Sequence, residues 1–255
     1  MNKALIIFGS KTDEKIYKEI AGILEKENID YDLRVSSAHK TPNDVDKTLD
    51  NDYEVIIAGA GLAAHLPGVI AAKVIRPVIG VPCEGSYQGL DALLSIAQMP
   101  PGIPVLAVGV NCGKIAALNC AMILKKYKSV TIIGDRSNNS VKKAVETLKT
   151  FDILPLFDSK PSSTSINIEF TYFDEQIEKK DELIIYCPVL LQKDDRAEAA
   201  LNFLKHTSHG LWVGLNNGTN AAIAAVEILN LENEFEELLT IYRRDMGKKV
   251  LESNK

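Results

Sequence analysis

The stretch AGAGLAAHLPG, Ala58 to Gly68, decides how this chain is read. It follows Val55, Ile56 and Ile57, a short β-branched run with the character of a buried strand. Gly59, Ala60 and Gly61 carry little or no side chain, so the backbone there can press against a ligand. His65 lies between these small residues and the pair Pro67-Gly68, and a histidine can move a proton near neutral pH. Pro67 disfavours helical geometry at Leu66 and suits a helix start of its own. The spacing therefore predicts a loop through the glycines and His65, then a helix through Ile70, Ala71, Ala72 and Val74. GAGLAA also fits the G-x-G-x-x-A dinucleotide pattern, with Glu84 near the place of a ribose carboxylate. That fingerprint needs a helix beginning at the glycines, so the nicotinamide dehydrogenase reading is set aside.

Around this stretch the chain alternates strand-like and helix-like segments. Ala4 to Phe8 is a strand; Ser10, Thr12 and Asp13 then offer caps for a helix carrying Ile16, Ile20, Ile23 and Leu24. A strand leading through a Gly-Ser turn to a helix N-terminus suits a phosphate, although ordinary capping is the commoner use. Tyr31 to Val35 is a second strand. SSAHKTP follows, with Thr41 as cap and Pro42 at the first helical position, so His39 and Lys40 fall at the carboxyl end of a strand. Ligands of open α/β sheets bind at that edge. Pro77 to Val81 and Val105 to Val108 are further strands; Leu90 to Ala97 and Lys114 to Lys126 are helices. This alternation predicts an α/β fold, a parallel sheet with helices on both faces.

Composition narrows the function. The formal net charge of −5 gives no electrostatic case for nucleic acid. Cys83, Cys112, Cys120 and Cys187 have no CxxC spacing, which excludes a zinc ribbon and suits reduced thiols in the cytoplasm. MNKALIIFG is too short for a signal peptide and no apolar run reaches the length of a membrane span.

The second half echoes the first. SVTIIGDRSNN (Ser129 to Asn139) parallels ALIIFGSKTDE, GLNNG (Gly214 to Gly218) parallels GVNCG (Gly109 to Gly113), and Asp181 to Pro188 is matched to the strand at Val55. On that matching SSAHKTP becomes DSKPSST and AGAGLAAHLPG becomes YCPVLLQKDDR, so the chemistry is lost. His206 and His209 match neither earlier histidine and read as structural or solvated. A charged helix from about Leu231 to Leu251 carries Phe235, Leu238, Leu239, Tyr242 and Met246 on one stripe, a packing face that could dock on a partner subunit.

GSKTD, SSAHKTP, VIIAGAGLAAHLPG, PVIGVP and QMPPGIPV occur in that order. Together they closely resemble the PurE family of purine biosynthesis, which holds 5-(carboxyamino)imidazole ribonucleotide mutases and aminoimidazole ribonucleotide carboxylases. The resemblance covers roughly residues 1–128, read as the catalytic domain; residues 129–255 look like a degenerate second copy ending in the family's terminal helix. It implies a three-layer α/β sandwich of flavodoxin-like kind and a homo-oligomer, a tetramer if one chain fills two subunit positions or an octamer if not. It implies a ribonucleotide substrate and CO2, with no metal, no organic cofactor and no membrane. Ser10 and Lys40 would hold the phosphate, Asp13 the ribose, and His39 would shuttle the proton at carbon 4. Gly59 to His65 would wall the base and the migrating carboxylate, His65 being counted catalytic, and Ser37, Ala38 and Leu66 would complete the substrate contacts.

Two positions depart from the family pattern. Lys40 stands where the mutase branch has Arg and the direct carboxylase branch has Lys, whereas the GAGLAAHLPG loop is of mutase type. Ile115 stands where the family has Asn before Ala-Ala, and Asn220-Ala221-Ala222 occupies the matching place in the second half. This raises the expectation that Asn220 is supplied to a shared site. The motif set favours the mutase, with direct carboxylation as the alternative and a non-catalytic ribonucleotide sensor or scaffold as a third reading.

Overall fold

Short β-branched runs bounded by Gly and Pro become strands, and amphipathic runs between them become helices. The computed structural model describes residues 4–173, 177, 179–191 and 195–254. The first half alternates β1 (Ala4–Phe8), α1 (Glu14–Lys26), β2 (Tyr31–Val35), α2 (Pro42–Leu49), β3 (Val55–Ala60), α3 (His65–Ala71), β4 (Val78–Pro82), α4 (Leu90–Ala97), β5 (Leu106–Ala107) and α5 (Gly113–Ile123). The second half follows with β6 (Val130–Ile133), α6 (Asn139–Lys149), β7 (Leu156–Phe157), β8 (Ile166–Thr171), β9 (Ile184–Pro188), α7 (Arg196–His206), β10 (Leu211–Trp212), α8 (Gly218–Leu229) and α9 (Glu236–Glu252).

The ten strands among the described residues form one sheet in the order β2-β1-β3-β4-β5-β10-β9-β8-β6-β7. Each half is parallel within itself, and the two meet at β5 and β10, which run antiparallel with Ala107 opposite Trp212. Both faces are covered, as parallel strands require. Ala4, Ile6 and Phe8 of β1 pack into a core with α1, α5, α6 and α8. Leu5 and Ile7 point the other way, into a core with α2, α3, α4 and α7. The result is the three-layer α/β arrangement.

The second half repeats the strand order of the first, counted inward from its own edge. Matching loops repeat in detail. Asn111 and Asn216 are left-handed, with φ of 57° and 55°. Their amides donate to Pro82 O and Pro188 O, each at 2.8 Å. Their side-chain oxygens accept from Glu84 N at 3.0 Å and Leu190 N at 3.1 Å.

This pairing corrects the sequence matching. Asp181 to Pro188 contributes β9, which lies between β8 and β10 and so answers β4 rather than β3. The counterpart of β3 is β8, which sequence reading passed over because Asn167 and Glu169 interrupt its apolar run. Residues 158–165 hold turns where the first half has α2, so the helix that follows the His39 loop has no equivalent there.

Three boundaries also differ from expectation. Helix α3 begins at His65, with Pro67 inside its first turn, where the missing N–H would have had no helical acceptor. Strand β3 runs on through Gly59 and Ala60, so Gly59 belongs to the sheet. A Cβ there would lie 2.0 Å from Phe8 Cε1, and the glycine is what lets that ring pack against β3. The terminal helix is interrupted: a short 3-10 turn at Asn230–Glu232 ends at Asn233, whose φ is 64°, and α9 starts at Glu236. Its stripe docks on its own chain, with Leu239 buried and Tyr242 5.6 Å from the Phe151 ring. Arg243 of α9 bonds the carboxylate of Glu227 on α8 at 2.7 Å. Among the described residues no helix is long and apolar enough to cross a membrane.

Gly59→Ala overfills the contact with Phe8 and lowers unfolding free energy by about 1–3 kcal/mol in urea titration. Burial, opposed by Arg243, raises the Glu227 carboxyl to about 7. The folded state thus holds that proton when the unfolded chain has released it. The stabilisation is full below the unfolded value of 4.5 and is lost as pH rises through about 7. Glu227→Gln removes that decline, on the order of 3 kcal/mol at most, and comparing denaturation curves of the two proteins at pH 5 and pH 8 measures it.

Candidate active site

The carboxyl ends of β1, β2, β3 and β4 lie side by side, and the loops leaving them enclose a cavity of about 460 Å³. Gly9 to Asp13, Ser37 to Lys40, Ala60 to Leu66 and Glu84-Gly85 supply its lining, save Lys11. That volume is in the range of small-molecule sites. Of the residues singled out in the sequence, Ser10, Asp13, Ser37, Ala38, His39, Lys40, Ala60, Gly61, His65 and Leu66 border it. Gly59 does not: its place is set by Phe8.

Local hydrogen bonding shapes each loop. After β1, Ser10 is extended and its hydroxyl accepts from the Thr12 amide at 3.2 Å and the Thr12 hydroxyl at 2.7 Å, capping a single 3-10 turn. That turn delivers Asp13 to the cavity. Partial burial raises the Asp13 carboxyl above its ordinary value, against the pull of the Thr12 hydroxyl and the Cys83 thiol beside it. The same burial, with Asp13 adjacent, pushes the Cys83 thiol well up, so it stays protonated and is no nucleophile.

After β2, the expected capping role of Thr41 is only partly realised. It sits at the N-cap position with Pro42 next to it, but its hydroxyl makes no bond to the helix. It turns back, accepting from the Ser37 amide at 2.9 Å and meeting the Ser36 hydroxyl at 2.9 Å. Ser37 Oγ accepts from the amides of His39 at 3.4 Å and Lys40 at 3.3 Å. This compact knot holds His39 over the third loop.

After β3, Gly61 to Ala64 make a turn closed by the Ala64 amide on Gly61 O at 3.1 Å. Leu62 is left-handed at φ 54°, and its side chain is exposed. A branched residue held in that conformation is locally costly, which is the kind of strain found at ligand sites. The turn ends at His65, first residue of α3. Its ring meets the His39 ring edge to face, with centroids 4.9 Å apart and planes at 77°. Two imidazoles from separate loops thus share one cavity with a wall of Ala60, Gly61, Ala63 and Ala64.

Thr12, Glu84 and Gly85 escaped the sequence reading as cavity residues. Thr12 was legible only as a cap. In sequence Glu84 reads as a dinucleotide's ribose carboxylate, although its position just past a strand end is itself a signal of a site residue. Its carboxylate accepts from Asn111 Nδ2 at 3.1 Å, so the left-handed Asn111 fixes it at the rim.

The expectation for Asn220 is corrected. Its side chain does not border the cavity; it is fully buried against the loop between α4 and β5. There it accepts from the Gly102 amide at 2.6 Å and donates to Pro100 O at 3.1 Å and Met99 O at 3.3 Å. Among the described residues no group of three His, Cys, Asp or Glu side chains is placed to hold a metal ion.

Comparison with known proteins places the chain in a family. Residues 3–147 match the family described as AIR carboxylase. The N5-carboxyaminoimidazole ribonucleotide mutase of Pyrococcus abyssi is 50% identical over 136 residues, covering 51% of this chain and 78% of that protein. The protein of the same name from Methanocaldococcus jannaschii is 44% identical over 142 residues, covering 55% of this chain and 85% of that one. A crystal structure of Treponema denticola PurE aligns with 48% of this chain and 79% of its own at 32% identity and a TM-score of 0.43. The aligned region spans more than half of the chain and contains every loop of the cavity, and on that footing the chain belongs to the AIR carboxylase family.

Proposed function

We propose that this chain is an isomerase of purine biosynthesis, converting 5-(carboxyamino)imidazole ribonucleotide to 4-carboxy-5-aminoimidazole ribonucleotide. The observation that carries this is the His39–His65 contact inside a small-residue cavity, in a chain similar to proteins named for that reaction. The bond between the exocyclic nitrogen and the carboxylate breaks, leaving CO2 and a nitrogen one proton short of the amine. Carbon 4 of the imidazole then attacks the CO2. Finally carbon 4 sheds its proton to restore the aromatic ring, and the proton is returned to the nitrogen side, so the net change is an isomerisation.

In this reading His39 takes the proton from carbon 4, a task suited to an imidazole near neutral pH, and His65 orients the migrating carboxylate. Ala60, Gly61, Ala63 and Ala64 keep the released CO2 away from water. Ser10 and Lys40 hold the phosphate as a remote anchor that positions the ring. Asp13 accepts from the ribose hydroxyls, and Ser37, Ala38 and Leu66 line the base. Residues 1–128 carry the chemistry, and residues 129–255 serve as an in-chain partner derived from a second copy. A homo-oligomeric enzyme of the cytoplasm belongs to the same reading.

Lys40 favours a second reading, direct carboxylation of aminoimidazole ribonucleotide, because the residue matches the direct carboxylase branch, although a lysine gives the phosphate a point charge without arginine's fork. Mixing the protein with the carboxyamino substrate, and separately with aminoimidazole ribonucleotide and bicarbonate, separates the two. Rapid 4-carboxylate formation from the first alone is expected. Efficient product from the second at physiological bicarbonate makes it a carboxylase, and silence in both makes it a sensor. His39→Asn is expected to lower turnover by about 100- to 10,000-fold while leaving ligand-induced stabilisation in a thermal shift assay largely intact; unchanged turnover removes the shuttle role.

A further inference from the structure

Beside the β5–β10 joint, the second half also meets the first at the loop QMPPG, Gln98 to Gly102. Asn220 satisfies two carbonyls and one amide there, at Met99, Pro100 and Gly102. Asn217 Nδ2 adds a bond to Met99 O at 3.1 Å. Gly214 allows the close approach, since a Cβ there would lie 2.8 Å from Ala97 O and Gln98 Oε1. From α9, Met246 covers Gly102, which is left-handed at φ 95°, with Sδ 2.5 Å from where its Cβ would be. A loop containing two prolines is thus held by Asn217, Asn220 and Met246, all from the other half.

The loop bears in turn on the candidate site. The thioether of Met99 sits on Gly68 of α3, with Sδ 3.1 Å from where a Cβ would be. Gly68 lies one turn after His65, the first residue of that helix. The path from Asn220 through the Met99 backbone and thioether to α3 therefore ends at the ring that meets His39.

The internal repeat supplies an independent comparison. Position 115 on α5 answers position 220 on α8, and on that side the second half has no QMPPG loop to hold. The residue there is Ile115. The asparagine is present where the loop is present and is replaced by an apolar residue where the loop is gone. Ordinary packing of α5 and α8 against the sheet gives no reason for that correlation.

We propose that Asn220 is a positioning residue: the second half clasps the Gln98–Gly102 loop through it and so sets helix α3 and the His65 ring against His39. This rests on the isomerase reading for its kinetic consequence, though not for its structural one. Helix α3 is short, starts without a side-chain cap and contains Pro67, so it holds little stability of its own and depends on what packs behind it.

The test compares three full-length variants at a temperature where each is folded. Asn220→Ile removes the clasp. Met99→Ala leaves the clasp's backbone bonds and removes the contact with Gly68. Leu148→Ala, in the fully buried face of α6, is a control that destabilises the second half without touching the loop. Expected for the first two is a fall in kcat of about 100-fold with KM within about twofold, and displaced His39 and His65 imidazole resonances in nitrogen-15 NMR. The control keeps wild-type kcat and resonances. Asn220→Ile and Met99→Ala behaving like the control overturns the proposal. If Asn220→Ile does not fold, Asn220→Ser is read in its place, with the same outcomes. If the wild-type chain turns over no substrate, the isomerase reading fails, and the imidazole resonances still judge the clasp.

Discussion

Two residues of backbone pairing hold this molecule's two halves in one sheet. Leu106-Ala107 of β5 runs antiparallel to Leu211-Trp212 of β10, the single reversal among the nine strand pairings of the described residues. Strands that short supply little by themselves. Their joint is secured by what closes over it: Trp212 is fully buried, stacks on Tyr186 at 4.6 Å and donates its indole N–H to His209 O at 2.7 Å. Because the reversal lies at the centre, each half presents its α5 or α8 helix and its preceding loop to the other half. The clasp on Gln98 to Gly102 is a consequence of that joint.

The two halves share a skeleton and differ in what they suspend from it. Strand order, the left-handed asparagines after β5 and β10, and their bonds to Pro82 and Pro188 are common to both. These features hold the sheet edge in shape and impose no chemistry. The site needs more: a loop and helix after β2 to carry His39, and a small-residue turn after β3 to carry His65. In the second half the connection from β7 to β8 is too brief to hold a helix, and Tyr172 follows β8 where the first half has Gly61. A half that keeps its core and loses its loops remains a good scaffold, since core burial and ligand contact draw on different residues.

Much of the first half was legible before folding. Apolar runs rich in β-branched residues match β1 and β4 to within a residue, because parallel strands buried on both faces have few acceptable sequences. His39, His65 and the small-residue loop stand out at strand ends, where the α/β architecture leaves loops free to bind, whereas the roles given to Ser10, Asp13, Ser37, Ala38, Lys40 and Leu66 come from the family resemblance. Gly59 was misjudged because a glycine beside a ligand and a glycine beside a phenylalanine look alike in sequence. Strand β8 was missed because Asn167, which bonds the Leu183 carbonyl and the Ser162 backbone in the interior, reads as a turn residue unless its partners are known.

The sequence by itself determined the fold class, the family and the loops in which the two histidines reside, since these depend on periodicity and on short motifs of local geometry. Only the tertiary structure decided that the His39 and His65 rings touch, that β9 answers β4, and that Asn220 holds a loop instead of a substrate. Each of those depends on contacts between residues far apart in the chain, whose distances are set by the packing of the whole sheet and its two helical layers and are encoded in no single segment.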